Sequence, residues 1–111
     1  MTALQAYAAD SARGPVAVLF GEADLATAGQ LACVLDACLA RDSTRLTIDA
    51  TALTFADSSA LAELVRAARI VCGHGGDVYL LRPCLTLSRV LAITGANMMF
   101  IVLGEDEAEA S

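Results

Sequence analysis

Short strand-like runs alternate with helix-like runs along this chain, and that alternation limits the possible folds more than any other feature. Alternating or continuously apolar runs predict strands at 4–9, 16–20, 45–50, 78–82 and 99–103. Three helical patterns lie between the last four of these strands. The predicted order is β-β-α-β-α-β-α-β, which is typical of an α/β domain with a mostly parallel or mixed sheet of four to five strands.

Each predicted helix carries one apolar stripe at helical spacing. The stripes are Leu31, Val34, Leu35, Cys38 and Leu39 in the first helix, Leu61, Leu64, Val65, Ala68 and Cys72 in the second (about 58–72), and Leu87, Val90, Leu91 and Thr94 in the third. Thr27 followed by Gln30 predicts a capping box at the first helix. Pro83 suits the first position of the third helix, and Gly95 suits its end.

The length of 111 residues predicts one domain over 1–111 that closes its own core without metals or disulfides. Aromatic residues make up only 5% of the chain and Trp is absent, so the core should be aliphatic. The run of acidic residues in 105–111 predicts a solvated tail that either frays or adds one helical turn.

The charge of the chain argues against nucleic-acid and membrane partners. The formal net charge is −6, and the basic residues are all Arg, without a cluster. Phosphate binding needs Lys or Arg, and an acidic domain repels anionic membranes. The first residues, MTALQAYAAD, lack the basic and apolar regions expected of a signal peptide, and the apolar run ANMMFIVL is shorter than the roughly 20 residues that span a bilayer. We therefore expect a cytoplasmic protein.

The thiols and the single histidine do not predict a metal, a cofactor or an enzyme. Cys33, Cys38, Cys72 and Cys84 form no CxxC pair, and we interpret them as reduced, mostly buried thiols. His74 lies between glycines in a predicted loop, and its spacing to Cys72 and Cys84 fits no zinc pattern. No acidic residue lies at a spacing typical of one that orients a catalytic histidine.

A carboxylate and two hydroxyls, Asp57-Ser58-Ser59, stand where a predicted strand and loop give way to the second helix. They could cap the helix, because Ser and Asp side chains satisfy the unpaired amides of a first turn. They could also receive a phosphate, which helix N-termini favour. Local chemistry leaves both interpretations open.

A phosphate at this joint should act on a partner and leave the fold intact. A phosphoserine carries about −1.5 to −2 charges, and its interaction with the helix dipole is favourable by about 0.3–1 kcal/mol. A like-charge contact near a protein surface, at about 4 Å, costs on the order of 4 kcal/mol. That cost corresponds to a roughly thousandfold loss of affinity.

The joint and its surroundings resemble the STAS domain family, and in particular the bacterial anti-sigma factor antagonists. The segment LTIDATALTFADSSALAELVRAA resembles the family signature of a strand, Phe and Asp-Ser-Ser/Thr-Gly-Leu opening a helix. FGEADLATAGQL, GGDVYLLRPCLTLSRVL and LAITGANMMFIVL resemble the family's other segments, in the same order and spacing. This chain has Ala60 where the family has Gly.

The resemblance implies a single STAS-type domain that is a protein-interaction module and not an enzyme. Its partner would be an anti-sigma factor with serine kinase activity, which phosphorylates Ser58 and thereby breaks the complex; a PP2C-type phosphatase would reverse this. Asp24, Asp57, Ser58, Ser59 and Ala60 would form the partner-binding surface. The alternative, which Ala60 keeps open, is a constitutive STAS scaffold or a small subunit of a transport or signalling assembly without serine phosphorylation.

Overall fold

A hairpin at the start of the chain forms one edge of a five-stranded sheet. In this computed structural model, which describes residues 2–104, the strands lie side by side in sequence order. The first pair is antiparallel, and the three following pairs are parallel. The strands are β1 (Gln5–Ser11), β2 (Gly14–Ala23), β3 (Arg45–Ala56), β4 (Asp77–Leu81) and β5 (Ile101–Leu103). The acidic tail predicted for 105–111 lies outside the described residues.

Three helices connect the parallel strands, as the sequence pattern predicts. They are α1 (Ala28–Arg41), α2 (Ser58–Gly73) and α3 (Leu85–Thr94). Short 3-10 turns precede α1 at Leu25–Thr27 and follow α3 at Ala96–Met99. The β-β-α-β-α-β-α-β order and the mixed sheet predicted from the sequence are therefore confirmed.

The core lies between one face of the sheet and the helices. Along β2 and β4, buried residues alternate with partly exposed ones, so only one face of these strands is covered. Helices that connect consecutive neighbours in the same direction pack on the same face, because such crossovers are right-handed. Leu19, Leu31, Ile48, Leu64 and Leu80 are among the fully buried side chains, and the core is aliphatic as expected. The opposite face of the sheet stays open.

The buried stripe of α2 differs from the prediction by about one residue. Leu61, Leu64 and Ala68 are buried as expected, but Val71 is buried where Cys72 was predicted, and Cys72 is exposed. The physical reason is that the small residues Ala60 and Ala67 also face the core, which rotates the centre of the stripe towards them. Small side chains here let the helix approach the sheet closely.

Two predicted helix starts were wrong. Gln30 does not complete a capping box with Thr27; its side-chain amide donates to the Leu4 carbonyl at 3.1 Å, and the box instead joins Thr27 to Asp24. Pro83 is not the first residue of α3, because Cys84 adopts the extended N-cap conformation and the helix begins at Leu85. Gly95 ends α3 as predicted, with a φ of 77° that favours glycine.

The prediction of mostly buried thiols was also wrong. All four cysteines are free, but Cys38 alone is buried, whereas Cys33 and Cys72 are exposed and Cys84 is half-buried. Burial raises the pKa of the Cys38 thiol, an effect that the nearby Arg41 opposes. The two exposed thiols lie on the outward faces of α1 and α2, which the apolar stripes leave to solvent.

Gly76 leads the chain from α2 into β4, and its backbone passes directly against the Thr44 carbonyl oxygen. A Cβ atom at this position would overlap the Thr44 backbone, whereas a Cβ on Gly73 would meet nothing. We expect Gly76→Ala to lower the free energy of unfolding by about 2 kcal/mol and the melting temperature by about 10 °C. Gly73→Ala, the same change three residues earlier, should leave both unchanged or slightly raised. Equal melting temperatures for the two variants would contradict this packing.

Candidate functional site

The side chain of Asp57 caps α2 and sets the geometry of its first turn. One carboxylate oxygen, Oδ1, accepts hydrogen bonds from the Ser59 N–H at 2.9 Å and from the Ala60 N–H at 3.1 Å. The backbone of Asp57 is extended, as an N-cap requires. Asp57 is therefore the helix cap, as one of the two interpretations of this segment proposed. The hydroxyls of Ser58 and Ser59 are not needed to cap the helix.

The next three residues point in three different directions around the helix. Ser58, the first residue of α2, is exposed, and Ser59 is half-buried. Ala60 is fully buried in the core. The expectation that Ala60 contacts a partner is therefore corrected: its methyl group packs under the sheet-facing side of α2, because successive residues of a helix turn by about 100°. It can shape the surface only through the backbone.

Asp24 caps the neighbouring 3-10 turn in the same way that Asp57 caps α2. Its carboxylate Oδ1 accepts from the Thr27 N–H at 3.1 Å, and the Thr27 hydroxyl accepts from the Asp24 N–H at 3.0 Å. These reciprocal bonds form a capping box. Asp24 is only half-buried, so its carboxylate remains accessible from the surface.

Pairing of β2 with β3 brings the two capped turns together. Ala23 and Ala56 are partners in the parallel ladder and end their strands at the same edge of the sheet. The Asp57 N–H continues the ladder by donating to the Ala23 carbonyl at 3.1 Å. Asp24, Asp57, Ser58 and Ser59 thus lie on one edge, which we call the capped edge. The carboxyl edge of parallel strands is a common place for functional residues.

Two apolar side chains flank the capped edge, and sequence reasoning missed both. Leu25, directly after Asp24, is 76% exposed, and Phe55, two residues before Asp57, is 38% exposed. Exposed large apolar residues beside a polar site are typical of protein-interaction surfaces. The sequence did contain a sign of this exposure, because Leu25 and Phe55 lie outside the apolar stripes of the predicted strands and helices.

A cluster of charges joins α1 to α2. Arg66 bonds Glu63 on its own helix at 2.9 Å and Asp36 on α1 at 3.0 Å. The hydrogen bond to Glu63 raises the pKa of the Arg66 guanidinium most, and the hydrogen bond to Asp36 raises it further. Such half-exposed pairs contribute little stability, but they hold the cation against carboxylates. The positive charge of Arg66 is therefore balanced by its two carboxylate partners.

The geometry around the Ser58 hydroxyl is more typical of a group that is modified or that contacts a partner than of a nucleophile. A nucleophilic serine needs a base within hydrogen-bond reach. His74, the sole histidine of the sequence, lies at the opposite end of α2, where its ring Nδ1–H donates to the Ile70 carbonyl at 2.8 Å. Within residues 2–104, no group of three potential metal ligands gathers, and no helix is long and apolar enough to cross a membrane.

Comparison with known proteins agrees with the fold and the segment order. A family model described as "Mlab, STAS domain" matches residues 7–103, which is most of the chain. The chain belongs to the STAS domain family. A search of curated protein sequences found no match.

Solved STAS structures share this architecture at low sequence identity. An anti-sigma factor antagonist from Mycobacterium paratuberculosis superposes with a TM-score of 0.80 at 23% identity, over 90% of this chain and 85% of that one. The anti-sigma factor antagonist SpoIIAA in its unphosphorylated form gives a TM-score of 0.71 at 23% identity, over 97% and 94%. The Bacillus cell fate determinant SpoIIAA in its phosphorylated form gives 0.70 at 24% identity, over 97% of each chain.

Removing the Asp57 cap should destabilise the domain without changing its fold. Asp57→Ala leaves the Ser59 and Ala60 amides without their acceptor, and we expect a loss of about 1 kcal/mol in the free energy of unfolding. Asp57→Asn keeps an acceptor oxygen and removes the charge, so its stability should stay close to that of the original chain. Chemical denaturation of both variants measures the difference. Equal losses would mean that charge, and not capping, is what Asp57 supplies.

Proposed function

We propose that this STAS domain is an anti-sigma factor antagonist whose binding is switched off by phosphorylation of Ser58. Its partner is an anti-sigma factor with serine kinase activity, the two meet in the cytoplasm, and a PP2C-type phosphatase restores binding. The domain itself catalyses nothing. The observation that carries the proposal is the exposed hydroxyl of Ser58 at the start of α2, on the capped edge.

The position of Ser58 makes it suitable for a kinase and for charge-based switching. Its hydroxyl is accessible while the residues before and after it are held by the Asp57 cap. A phosphate there would add about −1.5 to −2 charges beside the carboxylates of Asp24 and Asp57. A partner that docks against two carboxylates and the apolar side chains of Leu25 and Phe55 would meet a much more negative surface after phosphorylation.

The size of the competing effects favours loss of binding over unfolding. A phosphate at a helix N-terminus gains about 0.3–1 kcal/mol from the dipole, so α2 should persist. A like-charge contact with the partner, about 4 Å apart near the surface, costs on the order of 4 kcal/mol, or a thousandfold in affinity. Phosphorylation should therefore separate the partners and leave each of them folded.

Ala60, at the position where the resemblance to the STAS family implies Gly, does not obstruct this surface. Its methyl group is buried on the side of α2 that faces the sheet, away from the exposed Ser58. Its N–H still donates to Asp57 Oδ1 at 3.1 Å. The local departure from the family pattern thus adds core packing and keeps the first turn intact, which supports a working switch at Ser58.

A capture experiment with variants of Ser58 tests whether charge controls binding. With the cognate anti-sigma factor as bait, we expect Ser58→Ala and Ser58→Gln to retain binding and Ser58→Glu to lose most of it, because the Gln and Glu side chains match in size and differ in charge. Ala92→Glu, which adds the same charge at an exposed position of α3, is the control and should bind normally. Equal binding of the Gln and Glu variants would contradict electrostatic switching.

Direct phosphorylation tests the identity of the modified residue. Incubation with ATP and the cognate anti-sigma kinase should add one phosphate to Ser58, located by mass spectrometry of the digested protein, and Ser58→Ala should remain unmodified. A PP2C-type phosphatase should remove that phosphate. A phosphate on Ser59 alone, or none, would exclude the proposed switch.

The constitutive role is the second candidate, and the observation that favours it is that Asp57 alone caps α2, so the capped edge forms without a phosphate on Ser58. In that role the capped edge binds a partner within a transport or signalling assembly, and no kinase acts on Ser58. Binding that survives Ser58→Glu, together with an unphosphorylated Ser58 after kinase treatment, would select this role.

A further inference from the structure

Large apolar side chains lie on the face of the sheet that the helices leave open, which we call the open face. Along β2 and β4 the partly exposed residues alternate with buried ones, so they share this face. Tyr7 of β1 stacks on Phe20 of β2 with the ring centroids 6.0 Å apart, and Ile101 of β5 is paired with Tyr79 of β4. Apolar side chains of the open face therefore come from four of the five strands. None of them belongs to the capped edge, so the role of this face is a separate question from that of Ser58.

The open face is large enough for a specific interface. Five strands about 4.8 Å apart, with on average about seven residues at about 3.3 Å each, give it a footprint of roughly 550 Å². Contiguous exposed apolar surfaces of this size are typical of interaction sites. Two such faces packed together would bury about 1,100 Å², just above the roughly 1,000 Å² that a specific interface needs. The area favours a dimer that forms and dissociates readily.

The central strand carries opposite charges two residues on either side of Thr47. Arg45, Thr47 and Asp49 all face the open side, because the residues between them are buried. Arg45 and Asp49 of one chain are about 13 Å apart along the strand, too far to pair with each other. Within residues 2–104, Arg45 forms no ion pair. The Asp49 carboxylate accepts two bonds from Thr51, at 2.6 and 3.1 Å, both on Oδ1, which leaves Oδ2 for another donor.

We propose that two copies of this domain pack open face against open face, related by a two-fold axis that crosses the strands at Thr47. This rotation reverses the strand direction, so Arg45 of each copy meets Asp49 of its partner, and the ion pair forms twice. Sheets that pack face to face keep their strands within about 30° of alignment, which this arrangement allows. Each copy keeps its capped edge free, and the two capped edges point in opposite directions.

The shape and charge of the open face match those of its own rotated copy. Tyr7 is paired with Val18 towards one end of the face, and Ser11 with Gly14 towards the other. Because the rotation exchanges these ends, large side chains meet small ones, where a groove of about 550 Å³ beside Ser11 leaves room for them. A partner whose contact surface carries a single charge sign would meet one like charge on β3. A second copy pairs both charges and is therefore the favoured occupant.

Sedimentation equilibrium of the full chain tests the dimer. Over concentrations from about 1 μM to about 1 mM, we expect a monomer–dimer equilibrium with a Kd inside that range. Arg45→Asp alone, or Asp49→Arg alone, turns both ion pairs into like-charge contacts and should raise the Kd at least about tenfold. The variant with both changes rebuilds the two pairs with reversed polarity and should restore the Kd to within about threefold.

Asp77 provides the matched control for the carboxylate. It lies on the open face beside Arg45 in the β3–β4 ladder, but the proposed rotation places no arginine of β3 opposite it. Asp49→Asn, which keeps an acceptor for Thr51, should raise the Kd, whereas Asp77→Asn should leave it unchanged or lower it. Melting temperatures of the variants show whether each remains folded.

Three results would overturn the proposal. A chain that stays monomeric at every concentration would leave the open face to a different occupant. A dimer that withstands the single charge changes at Arg45 and Asp49 would place the contact between copies elsewhere on the domain. A double variant that dimerises no better than the single ones would show that the two side chains do not meet across the interface.

Discussion

The hydrogen bonds from the Ser59 and Ala60 amides to Asp57 determine how the capped edge is built. They fix where α2 begins, and they make Ser58 its first, exposed residue. The same helix then buries Ala60 and Leu64 against the sheet, so the packing of the core and the exposure of Ser58 depend on one helix start. A shift of this start by one residue would turn the hydroxyl by about 100° around the helix.

Parallel pairing supplies the second element of the edge. Because β2 and β3 end together at Ala23 and Ala56, two acidic caps from distant parts of the sequence stand next to one another. Each carboxylate has a structural task, since Asp24 closes a capping box and Asp57 caps α2. The proposed switch adds a third negative group to an edge that is already acidic. We expect the fold to tolerate that addition because it lies at the positive end of a helix dipole, and we expect a docked partner to be repelled by it.

The sequence predicted those features that depend on local periodicity, and it was wrong where partners distant in sequence decide the outcome. The order of the strands and helices along the chain and the start of α2 at Ser58 follow from alternation and from the Asp57-Ser58-Ser59 segment. The third strand was predicted to end at 50, but it continues to Ala56 because β2 pairs with it across two register shifts. Gln30 bonds the Leu4 carbonyl, which no spacing within the helix could indicate.

The central claim is that one phosphate on Ser58 acts on the complex and not on the fold. Titration calorimetry with the cognate anti-sigma factor measures this directly, if the unphosphorylated protein is compared with protein phosphorylated at Ser58 alone, and the melting temperature of both is recorded. The account predicts a dissociation constant about a thousandfold higher for the phosphorylated form, with a melting temperature that is unchanged or slightly higher. Equal dissociation constants, or weakened binding that accompanies a loss of folded structure, would contradict it.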